Sequence, residues 1–160
     1  MAEAYIALGS NVGNREENIS KAFEILKEKV TFLKASSTYE TKPMYVENQG
    51  LFLNCTIKVE TALKPKELLN FLKIAEKRLG RKNAPRNGPR IIDLDILFYG
   101  NQIINDDKIV VPHPKMQERA FVLVPLVEVD PNLIHPIYQK TVSELLKELT
   151  YDKSGIRKIG

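Results

Sequence analysis

Apolar and polar residues alternate cleanly from 51 to 60. Leu51, Leu53, Cys55, Ile57 and Val59 share one face of an extended strand, and Phe52, Asn54, Thr56, Lys58 and Glu60 share the other. Residues 3–8 predict a short buried strand, ended by the turn chemistry of Gly9-Ser10-Asn11 and Gly13-Asn14. Over 15–30 the spacing changes to that of a helix, with Ile19, Ala22, Phe23, Leu26 and Val30 on one stripe. Asn14 is placed to cap that helix, with Glu17 three residues on as in a capping box. Residues 31–40 predict a strand, and Pro43, Asn48 and Gly50 make 41–50 a loop. Pro65 opens a second helix whose stripe of Leu68, Leu72, Ala75 and Leu79 is stopped by Gly80. Residues 91–98 predict a strong strand in which Ile92, Leu94, Ile96 and Phe98 share a face. Tyr99 to Gln102 form a turn, from which Gln102–Asn105 pairs back as a hairpin. Residues 109–114 are extended, and 116–128 are helical in part, with a break or kink at Pro125. Thr141 caps a last helix over 142–149, and the polar tail 151–160 is expected to be loose.

The order β, α, β, β, α, β is the split-βαβ pattern. The fold class is therefore α+β: a ferredoxin-like βαββαβ sandwich with an extra C-terminal hairpin and helices, in one domain over 1–160. Helices pack on one face of such a sheet and leave the other for ligands, here closed by loops and the C-terminal segments. A chain of 160 residues matches one domain, and 43% hydrophobic with 28% charged residues is an ordinary globular balance. No apolar run approaches the ~18 residues of a membrane span. The N-terminus lacks the basic region and long apolar core of a signal peptide. The single cysteine, Cys55, excludes an internal disulfide and a multi-cysteine zinc site, and a reducing cytoplasm is the expected compartment.

Charge changes the picture through its placement. The chain has 24 basic and 20 acidic residues, and six of the basic ones fall between Lys77 and Arg90 with no acid among them. Such a run is either a solvated loop or an anion site for phosphates. Asp93-Leu94-Asp95 follows directly. Residues two apart on a strand point the same way, with Cα atoms ~6.5 Å apart. Two such carboxylates are either a solvated surface pair or ligands for a hard cation such as Mg²⁺. Carboxylates for Mg²⁺ beside arginines for phosphate are the equipment of nucleotide phosphoryl transfer, which favours the second reading. Phe52 and Asn54 stand on the polar face of their strand. A ring there can stack on a flat heterocycle, and an amide can read its edge; singly, each is also a common surface residue. His113, in the stiff Val111-Pro112-His113-Pro114 stretch, is either a phosphate contact or a structural histidine. Arg119 and Phe121, two apart, could reach phosphate and stack on a ring, but on their own they read as surface charge and core aromatic. His135 reads as structural and Cys55 as a buried thiol. Gly9-Ser10-Asn11-Val12-Gly13 lacks the spacing and the Lys-Ser/Thr pair of a P-loop.

The stretch Arg86-Asn87-Gly88-Pro89-Arg90-Ile91-Ile92-Asp93-Leu94-Asp95-Ile96-Leu97 resembles the signature of the 6-hydroxymethyl-7,8-dihydropterin pyrophosphokinase family of folate biosynthesis. Ala4 to Asn11 looks like that family's opening strand. Leu53-Asn54, Leu79-Gly80-Arg81, Val111-Pro112-His113 and Arg119-Ala120-Phe121 fall in its order, so the resemblance spans about residues 4–149. It implies a monomer of ferredoxin-like fold that moves pyrophosphate from ATP to the pterin, with two Mg²⁺ ions, and has no nucleic-acid or membrane partner. It implies Asp93, Asp95, Arg81 and Arg90 as catalytic residues, with Asp93 and Asp95 holding the metal. ATP would be met by Glu76, Arg81, Lys82, Arg86, Arg90, Ile96, Lys108, His113 and Arg119. The pterin would lie between Phe52 and Phe121, with Asn54, Asp93 and the backbone around Thr41, Pro43 and Met44 about its edge. Asn87 stands where the family usually has tryptophan, Asn83 where a second arginine is expected, and Phe52 where tyrosine is frequent. Two rivals use some of the same features. An RNA-binding split-βαβ module would have to tolerate Asp93 and Asp95 on its sheet and lacks the aromatic run such modules carry. A Mg²⁺-dependent nucleotidyltransferase would release pyrophosphate rather than AMP.

Overall fold

The sheet is built on β1 (Ala2–Ser10), which pairs antiparallel on both sides. The computed structural model describes residues 1–42, 50–80 and 91–159. After β1 come α1 (Arg15–Leu26), β2 (Val30–Ala35), β3 (Tyr39–Thr41), β4 (Phe52–Thr61), α2 (Pro65–Arg78) and β5 (Asp93–Tyr99). They are followed by β6 (Ile104–Asn105), β7 (Val110–Val111), α3 (Ala120–Val129), β8 (Ile134–His135), β9 (Lys140–Thr141), α4 (Val142–Glu148) and β10 (Ile156–Lys158). The order across the main sheet is β10-β3-β4-β1-β5, with β2 also paired to β4. β2 and β3 succeed one another along the same edge of β4, because β1 occupies its other edge. Counted as one strand, they give the ferredoxin-like order, as the sequence predicts.

Local signals explain most of the element boundaries. Asn14 accepts a hydrogen bond from the Glu17 amide at 3.1 Å and starts α1. Pro65 opens α2, the Lys64 amide donates to Glu67 at 2.7 Å, and Gly80, at φ +89°, follows its end. Thr141 and Glu144 form the capping box of α4. The single strand predicted over 31–40 is two strands. Ser36 takes the chain out of β2 by donating its amide to the Thr56 carbonyl and accepting the Thr56 amide on its hydroxyl. Ser37 and Tyr39 then bind Glu128 of α3.

The sheet separates two apolar cores. Ile6, Leu8, Leu53, Ile57, Leu94 and Ile96 face α1 and α2, while Tyr5, Leu97 and Phe98 face α3 and α4. Phe98 was expected with Leu94 and Ile96. A bulge intervenes: Tyr5 is opposite Phe98 and Ile6 opposite Ile96, so Leu97 is extra and the strand changes phase. Tyr99 joins the first core in its place. Three further expectations are corrected. Helix α3 runs through Pro125, because Val122, Leu123, Leu126 and Val129 are all buried and tertiary packing outweighs the lost hydrogen bond. Residues Ile104 and Asn105 pair with β7 rather than returning on β5. The tail expected to be loose forms β10, whose residues Ile156, Arg157 and Lys158 pair with Thr41, Glu40 and Tyr39. Among the described residues, no helix is long and apolar enough to cross a membrane.

Candidate active site

On β5, the burial of Leu94 and Ile96 against α1 and α2 fixes which way Asp93 and Asp95 point. Asp93 lies opposite Gly9 of β1, and Asn54 of β4 lies opposite the same glycine from the other side. One row across three strands thus reads Asn54, Gly9, Asp93, which puts amide and carboxylate on one face ~10 Å apart. Gly9 is required in this row. A Cβ there would lie 2.8 Å from the Asn54 Oδ1 and 3.6 Å from the Phe52 ring. Asn54 is buried and donates from Nδ2 to the Thr41 hydroxyl at 2.6 Å.

Asp95 stands two residues from Asp93 on the same face of β5. Burial first, then the charges of Asp93 and Glu76, push its carboxyl well above the usual range, and Arg119 opposes them. Two facing carboxylates in such surroundings retain a proton until a cation replaces it. Glu76 on α2 is buried, and its carboxylate accepts the Leu94 amide at 2.8 Å. It therefore anchors the edge of β5 between the two aspartates.

His113 is fastened to the same strand by its amide, which donates to the Leu97 carbonyl at 3.0 Å. Its Nδ1 accepts the Lys115 amide at 3.2 Å, which leaves the ring proton on Nε2. Burial, with Arg119 adding, pushes the imidazole down to about 4, while Asp93 opposes them. The ring is thus a neutral donor at neutral pH. An unfolded histidine titrates near 6.5. Between that pH and about 4 the unfolded chain takes a proton that folded His113 refuses, so this residue's share of stability is lost as pH falls through that window. Asp95 contributes with the opposite sign, so ring titration rather than melting is the readout. The His113 imidazole signals in proton NMR are expected to stay unshifted from pH 7.5 to about 5. A midpoint near 6.5 would remove the neutral-donor assignment. Arg119, at the start of α3, places its guanidinium carbon 5.9 Å from the centre of the Phe121 ring.

The structure thus gathers Asp93, Asp95, His113 and Arg119, with Phe121 beside Arg119 and with Phe52, Asn54 and Thr41 across β1. Ile96 is buried in the opposite core. Lys108 sits in the exposed turn between β6 and β7, with its amide on the Asp106 carboxylate. Pro43, Met44, Arg81, Lys82, Arg86 and Arg90 lie outside the described residues. Cys55 is buried, with its thiol pushed up to about 12 by burial, and is no nucleophile. His135 is buried with its Nδ1 accepting the Ile137 amide at 3.2 Å, a structural histidine. No group of three metal-ligating side chains occurs among the described residues. A carboxylate pair is nevertheless what Mg²⁺ uses when phosphate and water complete its shell. Sequence reasoning missed Gly9 as a packing residue, and Arg15 and Glu40 altogether. A signal for Arg15 exists: a cation in the first turn of a helix is opposed by the dipole and needs another reason to be there.

A ferredoxin-like sheet carrying paired carboxylates beside a neutral histidine and an arginine defines a protein that handles phosphate groups. The chain matches the family described as 7,8-dihydro-6-hydroxymethylpterin-pyrophosphokinase over residues 5–131. It is 47% identical over 150 residues to the 2-amino-4-hydroxy-6-hydroxymethyldihydropteridine pyrophosphokinase of Aquifex aeolicus, covering 94% of each chain. It is 51% identical over 128 residues to a folate synthesis bifunctional protein of Arabidopsis thaliana, covering 79% of this chain but 26% of that one. The crystal structure of wild-type Plasmodium falciparum HPPK-DHPS with pteroate shares the fold, with a TM-score of 0.75 at 16% identity. That likeness covers 92% of this chain and 44% of the other. The chain belongs to the 7,8-dihydro-6-hydroxymethylpterin-pyrophosphokinase family.

Proposed function

We propose that this chain transfers the terminal pyrophosphate of ATP to the hydroxymethyl oxygen of 6-hydroxymethyl-7,8-dihydropterin, in the synthesis of folate. The hydroxyl oxygen forms a bond to the β-phosphorus, the bond from that phosphorus to the α-phosphate bridge breaks, and AMP leaves. The hydroxyl proton passes to water. The observation that supports this best is the row of Asn54, Gly9 and Asp93, which puts a heterocycle-reading amide and a metal-holding carboxylate on one face.

Asp93 and Asp95 fit Mg²⁺ as a pair of oxygen donors whose mutual repulsion a cation relieves. Bound there, two Mg²⁺ ions would supply charge neutralisation for the triphosphate and help align it. Phe52 and Phe121 bracket the pterin ring, and Asn54, held by Thr41, reads its edge. Arg119 and the neutral Nε2–H of His113 bind phosphate oxygens. Arg81, Lys82, Arg86 and Arg90 complete the phosphate contacts, and Glu76 keeps β5 and its carboxylates in place. This chemistry needs charge neutralisation and alignment rather than a covalent intermediate. The reading takes the chain as a cytoplasmic monomer.

Chromatography of a reaction with protein, ATP, Mg²⁺ and the pterin tests this. AMP is expected in equal amount with the pterin diphosphate, only when pterin is present, and not after chelation of Mg²⁺. Pyrophosphate in place of AMP identifies a nucleotidyltransferase instead. No AMP from folded protein overturns the reading.

A further inference from the structure

Arg15 is the first residue of α1, and its guanidinium bridges β3 and the residue that leads into β4. One arm, Nη1, donates to the Leu51 carbonyl at 2.8 Å, and the other, Nη2, pairs with Glu40 at 2.8 Å. Glu40 directly precedes Thr41 on β3, and Leu51 directly precedes Phe52 on β4. Thr41 and Phe52 are themselves register partners, as are Tyr39 and Asn54. A rigid guanidinium fork therefore spans the two strands at the point where the pterin-reading residues begin. Asn11, in the same β1–α1 turn, adds a tether by donating to the Gly50 carbonyl at 3.2 Å.

From the outer side, Arg157 of β10 also pairs with Glu40 at 2.8 Å. The two cations differ in setting: the Arg157 side chain is 72% exposed and that of Arg15 30%, against 15% for Glu40. An exposed pair contributes little, whereas a half-buried one with two directed hydrogen bonds constrains geometry. The Glu40 carboxyl is held below its usual range, chiefly by its hydrogen bond to Arg15.

We propose that Arg15 is a positioning residue: its fork sets the register of β3 against β4, and through Thr41, Phe52 and Asn54 it sets the affinity of the pterin subsite without touching the nucleotide. This rests on the pterin reading given above.

Arg15→Gln removes the charge and one arm. Steady-state kinetics is expected to show the pterin KM raised about tenfold, with kcat and the ATP KM within about twofold of wild type. Arg157→Ala is expected to change the pterin KM less than about twofold. An unchanged pterin KM in Arg15→Gln, or an equal rise in the ATP KM, overturns the proposal. So does an equal effect from Arg157→Ala, since the charge state of Glu40 would then be the cause. Should Arg15→Gln fold poorly, Arg15→Lys keeps an ion pair with Glu40 and loses the arm to Leu51. A raised pterin KM supports the fork, and a wild-type value removes it. Amide hydrogen exchange on substrate-free protein gives a readout independent of catalysis: the Thr41 and Asn54 amides are expected to exchange about tenfold faster in Arg15→Gln. Unaltered exchange defeats the positioning role. Wild-type protein that makes no AMP, with accelerated exchange in the variant, defeats the pterin reading alone.

Discussion

Asp95→Asn is expected to lower turnover by on the order of 10³-fold and yet to raise the thermal midpoint of the substrate-free protein. The substitution preserves shape and removes one charge. In the substrate-free protein that charge is unwelcome: burial, the facing Asp93 and the nearby Glu76 all disfavour it. A group whose folded carboxyl is raised costs stability above the ordinary carboxylate range, where the unfolded chain ionises freely and the folded one resists. The gain in Asp95→Asn should therefore be largest near neutral pH and vanish in acid, where both states keep the proton. Relief of about 1 kcal/mol corresponds to roughly 2–4 °C for a chain of this size. On the proposed reading the cost to turnover arises because a magnesium ion held by the pair would relieve the same repulsion. Scanning calorimetry at pH 5 and 7.5, beside AMP formation, checks both halves. Retained turnover sinks the metal assignment. A lower midpoint would mean that Arg119 already balances the pair.

Gly9→Ala is expected to weaken pterin binding at least about tenfold and to cost about 1–3 kcal/mol of stability. The new methyl would meet the Asn54 Oδ1 at 2.8 Å. Neither side can easily retreat. The backbone of β1 is held between β4 and β5, and Asn54 is tied to Thr41 at 2.6 Å. The asparagine must move, and with it the hydrogen bond that aims it. Gly100→Ala is the control: nothing lies within 4 Å of its Cβ position, so it reports only the strain of a φ of +55°. Isothermal titration with the pterin, and separately with a non-hydrolysable ATP analogue, distinguishes the outcomes. Pterin affinity unchanged in Gly9→Ala would mean that Asn54 has another place to go and does not read the ring.

The parts of this molecule legible in the sequence are those where local chemistry and tertiary packing agree. Asn14 and Thr141 cap the helices they were expected to cap. The 51–60 alternation gave β4, and the burial of Leu94 and Ile96 fixed the direction of Asp93 and Asp95. The bulge at Leu97 was not legible, because Ile96 to Tyr99 are apolar throughout and fit either phase of a strand. The helix through Pro125 was hidden by a local rule that burial overrides. β10 was hidden because Ile156 to Lys158 is a short, mostly polar segment whose partner lies more than a hundred residues earlier. In the candidate site, the spacing of the two carboxylates on one face of β5 was legible from their alternation with Leu94 and Ile96. Gly9 and Glu40 meet their neighbours on other strands, and no pattern within one segment reveals such a place; for Arg15 the one local sign is a cation in the first turn of a helix.

The position of β1 at the heart of the sheet carries a consequence for how the chain reaches this structure. Its partners lie far along the sequence, with Ala4 opposite both Val59 and Tyr99. Pairings of such separation close large loops and slow the search for the native state. During synthesis β1 waits with both edges bare until β4 and then β5 have left the ribosome. The last of these strands is the one that bears Asp93 and Asp95. Sealing of the second edge of β1 and delivery of the carboxylates to Gly9 are therefore one event, and a chain stalled before it has neither that edge covered nor its paired aspartates in place.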